Sequence, residues 1–88
     1  MVYRKFLEVN MKVISKWRLG NLQGTLYETT IGGEIHYVYK VRYNRKVVAQ
    51  SYVYFKDKDE CLKRMNDDMY YLFDGDRSLF NLQDITKV

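Results

Sequence analysis

EIHYVYKVRYNRKVVAQSYVYF, residues 34–55, decides the fold: two alternating runs meet at Asn44-Arg45-Lys46 and carry five of the chain's nine tyrosines among Lys40, Arg42, Arg45 and Lys46. Side chains along a strand point to opposite faces with period two, so the length of the connecting loop determines which set faces the core. A three-residue loop over 44–46 sets Tyr43 against Val47, Val41 against Ala49, Tyr37 against Val53 and Ile35 against Phe55, an apolar face. Arg42, Lys40, Val38 and His36 then share the outer face with Val48, Gln50, Tyr52 and Tyr54. A two-residue loop would instead press Arg42 and Lys40 among Val47, Ala49 and Phe55, at a cost on the order of several kcal/mol. The pattern therefore predicts a loop of odd length.

Upstream, Gly32-Gly33 is a two-residue hairpin signal, because a type I′ turn needs positive φ at both central positions. Strands are predicted over 22–31, 35–43 and 47–55. Pairing Ile31 with Glu34 sets Leu22, Leu26 and Glu28 opposite Tyr43, Tyr39 and Tyr37 on one face. The other face pairs Tyr27 with Val38, Thr25 with Lys40 and Gln23 with Arg42.

Towards the N-terminus, residues 3–18 (YRKFLEVNMKVISKWR) place Phe6, Val9, Val13 and Trp17 at three- and four-residue steps, opposite Lys5, Glu8, Lys12 and Lys16. That spacing predicts an amphipathic helix ended by Gly20. A competing reading is a strand over 11–19, since Met11, Val13, Ser15, Trp17 and Leu19 alternate with Lys12, Ile14, Lys16 and Arg18. Towards the C-terminus, Asp57 reads as an N-cap with Glu60 completing a capping box. Cys61, Leu62, Met65, Met69, Leu72 and Phe73 form a helical stripe over 58–73. The tail after Asp74-Gly75-Asp76 is readable either as a short helix or as an edge strand.

The expected fold is α+β: a three-stranded antiparallel β-meander with an N-terminal and a C-terminal helix on one face, or alternatively a four-stranded meander plus a helix. With 88 residues the chain is expected to be one domain over 1–88, with 47% hydrophobic and 30% charged residues at globular values. No apolar run approaches ~18 residues, so neither a membrane span nor an export signal is expected, and a cytoplasmic location follows. Cys61 is the only cysteine and His36 the only histidine. No disulfide, metal site or cofactor is expected, and Cys61 reads as a small buried hydrophobe.

The net charge of +4 is unevenly spread: residues 1–46 hold nine Lys/Arg against three acids, and residues 47–88 hold six against eight. A cationic half attracts anions. Lys40, Arg42, Arg45 and Lys46 are candidates to hold phosphates, with Tyr27, Tyr52 and Tyr54 to stack or hydrogen-bond and His36 beside them, the combination that nucleic-acid binding needs. DNA and RNA are not distinguished. No nucleophile spacing or glycine-rich phosphate cradle points to catalysis, so no catalytic residue is named and the chain reads as a non-enzyme. The alternative is a protein-interaction module, such as a phage-like inhibitor of a host enzyme or a homodimer through the tyrosine face. Asp67, Asp68, Tyr70, Tyr71, Asp74 and Asp76 would form its acidic, aromatic edge.

GGEIH followed by YKVRYNRKVVAQ resembles in rhythm the second-strand region of the double-stranded-RNA-binding domain, within an order of helix, three strands, helix. That resemblance implies a nucleic-acid face, although KDKDECLKR puts Asp57, Asp59 and Glu60 where that family has a lysine cluster. The stretch 35–66, through strand, turn, strand, YFKDKDEC and helix, also resembles the AP2-like arm-binding module of phage-type integrases, which implies DNA reading by the sheet.

Overall fold

The computed structural model describes residues 11–73 and 85–88. Five strands and one helix follow in the order β1 (Lys12–Leu19), β2 (Leu22–Ile31), β3 (Glu34–Tyr43), β4 (Lys46–Gln50), α1 (Lys58–Phe73) and β5 (Thr86–Lys87). The sheet is antiparallel with strand order β4-β3-β2-β1-β5, so β1 to β4 run as a four-stranded meander and the tail adds a fifth strand against β1. The three-stranded meander with two helices is thus replaced by a wider α+β sheet with one helix among the described residues.

The central hairpin follows directly from its turn. Gly32 and Gly33 have φ of 59° and 82°, and the β2–β3 register runs without interruption from Ile31↔Glu34 to Leu22↔Tyr43, as expected. The first hairpin overturns the helical reading over the described residues and agrees with the competing strand reading: residues 12–19 are strand, and residues 3–10 lie outside the described set. Leu19 pairs with Leu22 across Gly20-Asn21, and Gly20 has φ 62°. A two-residue Gly-Asn turn between two leucines is a hairpin signal that outweighs the helical spacing upstream. Pairing also gives the otherwise open edge of β2 its hydrogen bonds. Between Val13 and Ser15 the register shifts, and Ile14 is the extra residue, packed against the core.

The β3–β4 hairpin corrects the expected odd loop. Tyr43 pairs with Lys46 across a two-residue turn, Asn44-Arg45, whose φ values of 52° and 72° fit type I′. Arg42 then stands opposite Val47, and the register shifts so that Val41 meets Ala49. One bulged residue restores the parity that a longer loop would have supplied, which keeps Ala49 on the core face while Val47 is exposed beside Arg42.

The third predicted strand ends early, at Gln50. Ser51 N–H still donates to the Tyr39 carbonyl at 3.0 Å, but the chain then leaves the sheet and returns only at Phe55, which exchanges backbone bonds of 2.7 and 2.9 Å with Tyr37. The expected pairs Tyr37–Val53 and Ile35–Phe55 are therefore not formed. Looping out 52–54 still delivers the Phe55 ring to the core.

Helix α1 opens at the expected N-cap: the Asp57 carboxylate accepts from Asp59 N–H at 3.2 Å, and no return bond from Glu60 is made. Cys61, Met65 and Met69, four residues apart, are buried against Leu19, Leu22, Leu26, Tyr39 and Val41. Gly24 makes this approach possible. A Cβ there would sit 2.7 Å from the Met69 sulfur and 2.8 Å from the Met65 sulfur, well inside contact distance. No helix among the described residues is long and apolar enough to cross a membrane.

Candidate nucleic-acid interface

The sheet face opposite α1 is built in rows by the two registers on either side of β2. Arg18 pairs with Gln23 and Gln23 with Arg42; one row along, Lys16 pairs with Thr25 and Thr25 with Lys40. Four cations therefore flank the uncharged Gln23 and Thr25 of the central strand in two columns. The geometry of strands puts the columns about 10 Å apart and the rows about 7 Å apart. The third row, Val13–Tyr27–Val38, carries no charge. Repulsion between neighbouring cations at those spacings is about 0.4–0.6 kcal/mol per pair in water, a small standing cost that a bound polyanion would reverse.

Tyr27 ties the two rows together. Its ring lies under the Lys40 ammonium, 5.7 Å from nitrogen to centroid, and its hydroxyl accepts from the Arg42 guanidinium at 3.3 Å. To reach Arg42 the ring crosses the row of Thr25, which is only 4% exposed. The phenol thus holds Lys40 and Arg42 in position, with one face of its ring occupied by the Lys40 ammonium.

This face is also less open than expected, since Thr29 and Val38 are buried as well. Met11 and Tyr54 line a cavity of about 220 Å³ with those two residues. What remains outward is the cationic end: Lys16 and Arg18 are exposed, and Lys40 and Arg42 half-exposed.

The remaining candidates separate into three places. Arg45, at the tip of the β3–β4 turn, lines a cleft of about 470 Å³ with Arg18 and Arg42. Lys46 is exposed but stands opposite Tyr43, and so belongs by register to the side that carries α1. His36 and Tyr54 sit towards the other end of the sheet, about 20 Å along β3 from Arg42. There the His36 Nδ1–H donates to the Glu34 carbonyl at 3.2 Å, its Nε2 lies 4.0 Å from the Glu34 carboxylate, and its ring meets Tyr54 edge-on at 6.2 Å. Tyr52 is 93% exposed in the looped-out segment.

The acidic, aromatic group is divided by the helix. Asp68 accepts a hydrogen bond from the Tyr39 hydroxyl, and Tyr70 packs on the core, while Asp67 and Tyr71 face solvent. Asp74 and Asp76 lie outside the described residues. Burial, with the Asp68 carboxylate next, pushes the Tyr39 phenol well above the ordinary tyrosine range. Cys61 is fully buried, and desolvation pushes its thiol up to about 12, which makes it inert. Among the described residues no group of three or more histidine, cysteine or acidic side chains is placed to hold a metal ion.

Lys16 and Arg18 are the contributors that the helical reading missed. It set Lys16 on the solvated side of a helix and gave Arg18 no role, whereas strand alternation puts both on one face. The deciding signal was Leu19-Gly20-Asn21-Leu22. No protein-family model, curated protein or solved structure matches the chain.

Proposed function

We propose that this chain is a small, non-enzymatic nucleic-acid-binding module that takes a single strand of DNA or RNA across the outer face of β1, β2 and β3. The observation that carries the reading is the pair of rows Arg18–Gln23–Arg42 and Lys16–Thr25–Lys40, four cations on one face with no carboxylate among them. Phosphate neutralisation supplies most of the affinity of such a surface, and the uncharged central column leaves room for sugars and bases between the cations. A salt titration with a labelled single-stranded oligonucleotide tests it. Affinity should fall steeply from about 50 to about 200 mM salt. No detectable binding to DNA or RNA at the low end rejects the reading.

A second reading, protein interaction, draws on another part of the molecule. Strand β4 is the outer edge of the sheet, with Val47 and Val48 exposed beside a cleft of about 480 Å³ lined by Tyr43, Val48, Leu72 and Phe73. A second copy is the partner such an edge fits, since antiparallel strands can pair across a twofold axis. The bulge at Val47 and Val48 opposes it, because it bends the edge. Sedimentation equilibrium decides: a dimer that dissociates on Val48→Lys supports this reading, and a monomer at all concentrations sets it aside.

A further inference from the structure

The cleft at the end of the cationic face has its own chemistry. Three arginines line it, each from a different segment: Arg18 near the end of β1, Arg42 near the end of β3 and Arg45 on the turn beyond. Asn21, Gln23 and Asn44 add amide groups, and no carboxylate is among the described residues that line it. Among the described residues none of the three arginines has an ion-pair partner.

Arg45 also stands in a conformation that opposes its residue type. Its φ of 72° is the left-handed region, where an L side chain costs about 1–2 kcal/mol and glycine is the usual occupant of this turn position. Strain of this kind is held by the surrounding structure and clusters at binding sites and ligand clamps. Here it sets a third arginine in the lining of a cleft that Arg18 and Arg42 also line.

We infer that this cleft binds a phosphate monoester, the terminal phosphate of a nucleic-acid strand, with Arg18, Arg42 and Arg45 converging on one dianion; this rests on the nucleic-acid reading above. Two features favour a terminal group over an internal phosphodiester. The cleft lies where the β1–β2 and β3–β4 turns close the sheet, so a strand running over the Lys16–Lys40 row reaches the end of the cationic face there. A monoester also carries close to two charges at neutral pH, with a second pKa near ~6, against one for a diester, and so suits three cations better. The volume is within the range of small-ligand sites and has room for the terminal sugar as well.

The test compares one single-stranded oligonucleotide in three forms: 5′-phosphorylated, 3′-phosphorylated and hydroxyl at both ends. Inorganic phosphate is titrated separately while the arginine Nε–H signals are followed by NMR. One phosphorylated form should bind about tenfold more tightly than the hydroxyl form. That preference should vanish in Arg45→Gln and Arg18→Gln and shrink as pH falls from about 7 to about 5, where the dianion takes up a proton. Lys40→Gln should weaken all three forms alike and keep the preference.

Equal binding of the three forms overturns this inference and leaves the nucleic-acid reading standing. Phosphate-induced shifts at Arg18, Arg42 and Arg45 with no oligonucleotide binding would keep the cleft as a site for a free phosphate monoester and remove the nucleic-acid reading. Retention of the preference in both arginine variants, with their folds intact by circular dichroism, also overturns it.

Discussion

Replacing Lys16 and Arg18 together by glutamine removes one whole column of the cationic face while leaving α1 and the core untouched. Both side chains are exposed on β1, so the change in stability should stay within about 0.5 kcal/mol. The effect on binding follows from the rows. If, on a single strand with hydroxyl ends, Lys16, Arg18, Lys40 and Arg42 each neutralise one phosphate, the slope of log affinity against log salt is about −0.7 for each, or about −2.8 in total. The double variant keeps Lys40 and Arg42 and should show about −1.4. Between about 50 and 200 mM salt the native chain then loses about fiftyfold in affinity and the variant about sevenfold.

Fluorescence anisotropy with a labelled oligonucleotide measures both slopes. The control is Lys56→Gln/Lys58→Gln, an equal change in net charge just before and at the start of α1, away from the rows. Its slope should match that of the native chain. Equal slopes for the native chain and the β1 variant would refute the row geometry, and an equal fall in the control would show that net charge alone sets the affinity.

Gly24→Val should destabilise the fold by about 1–3 kcal/mol in urea unfolding, because its side chain meets the Met65 and Met69 sulfurs and α1 must move outward. Arg45→Gly should raise stability by a few tenths of a kcal/mol, the released strain of about 1–2 kcal/mol being partly offset by the backbone entropy of glycine; an unchanged or lower midpoint would contradict the strain argument. Stability should decline as pH rises beyond about 9, because the Cys61 thiol and the Tyr39 phenol both have raised pKa values when folded. Their contribution is fully present below the unfolded values of about 8.5 and 10, and is lost as the unfolded chain alone gives up its protons. The Tyr39→Phe, Cys61→Ala double variant should lose that alkaline decline, as read by thermal unfolding across pH. In the native chain, Cys61 should react with an alkylating reagent only on unfolding.

The β2–β3 pairing was legible because Gly32-Gly33 leaves a single register, and every cross-strand neighbour follows from it. The β1 strand was obscured by two features of the sequence. Val13 and Trp17 sit four apart, as on a helix, and the alternation over 11–19 reads on through Ile14, where a bulge in fact sends Val13 to the face opposite Trp17. The β3–β4 turn shows the same limit in another form. Parity correctly required Val41 to meet Ala49, but a bulge met that requirement in place of a third loop residue.

At the candidate interface, Lys40, Arg42 and Tyr27 could be grouped from the hairpin pattern, and the structure brings those three into contact. His36 and Tyr54 share the alternation but lie several rows away, so a common face did not mean a common site. Burial of Thr25 was not legible either, because strand alternation places it on the outer face and carries no information on what lies over it. The arginine cleft needs three segments brought together by two tight turns, and no local stretch of sequence carries that information.

The most direct measurement is an amide NMR titration of the chain with a short single-stranded oligonucleotide at low salt. Shifts should concentrate at Lys16, Arg18, Gln23, Thr25, Lys40 and Arg42, the two rows that β1, β2 and β3 bring together. Shifts confined to the exposed side of α1 around Asp67 and Tyr71, or to the β4 edge at Val47 and Val48, would contradict the account.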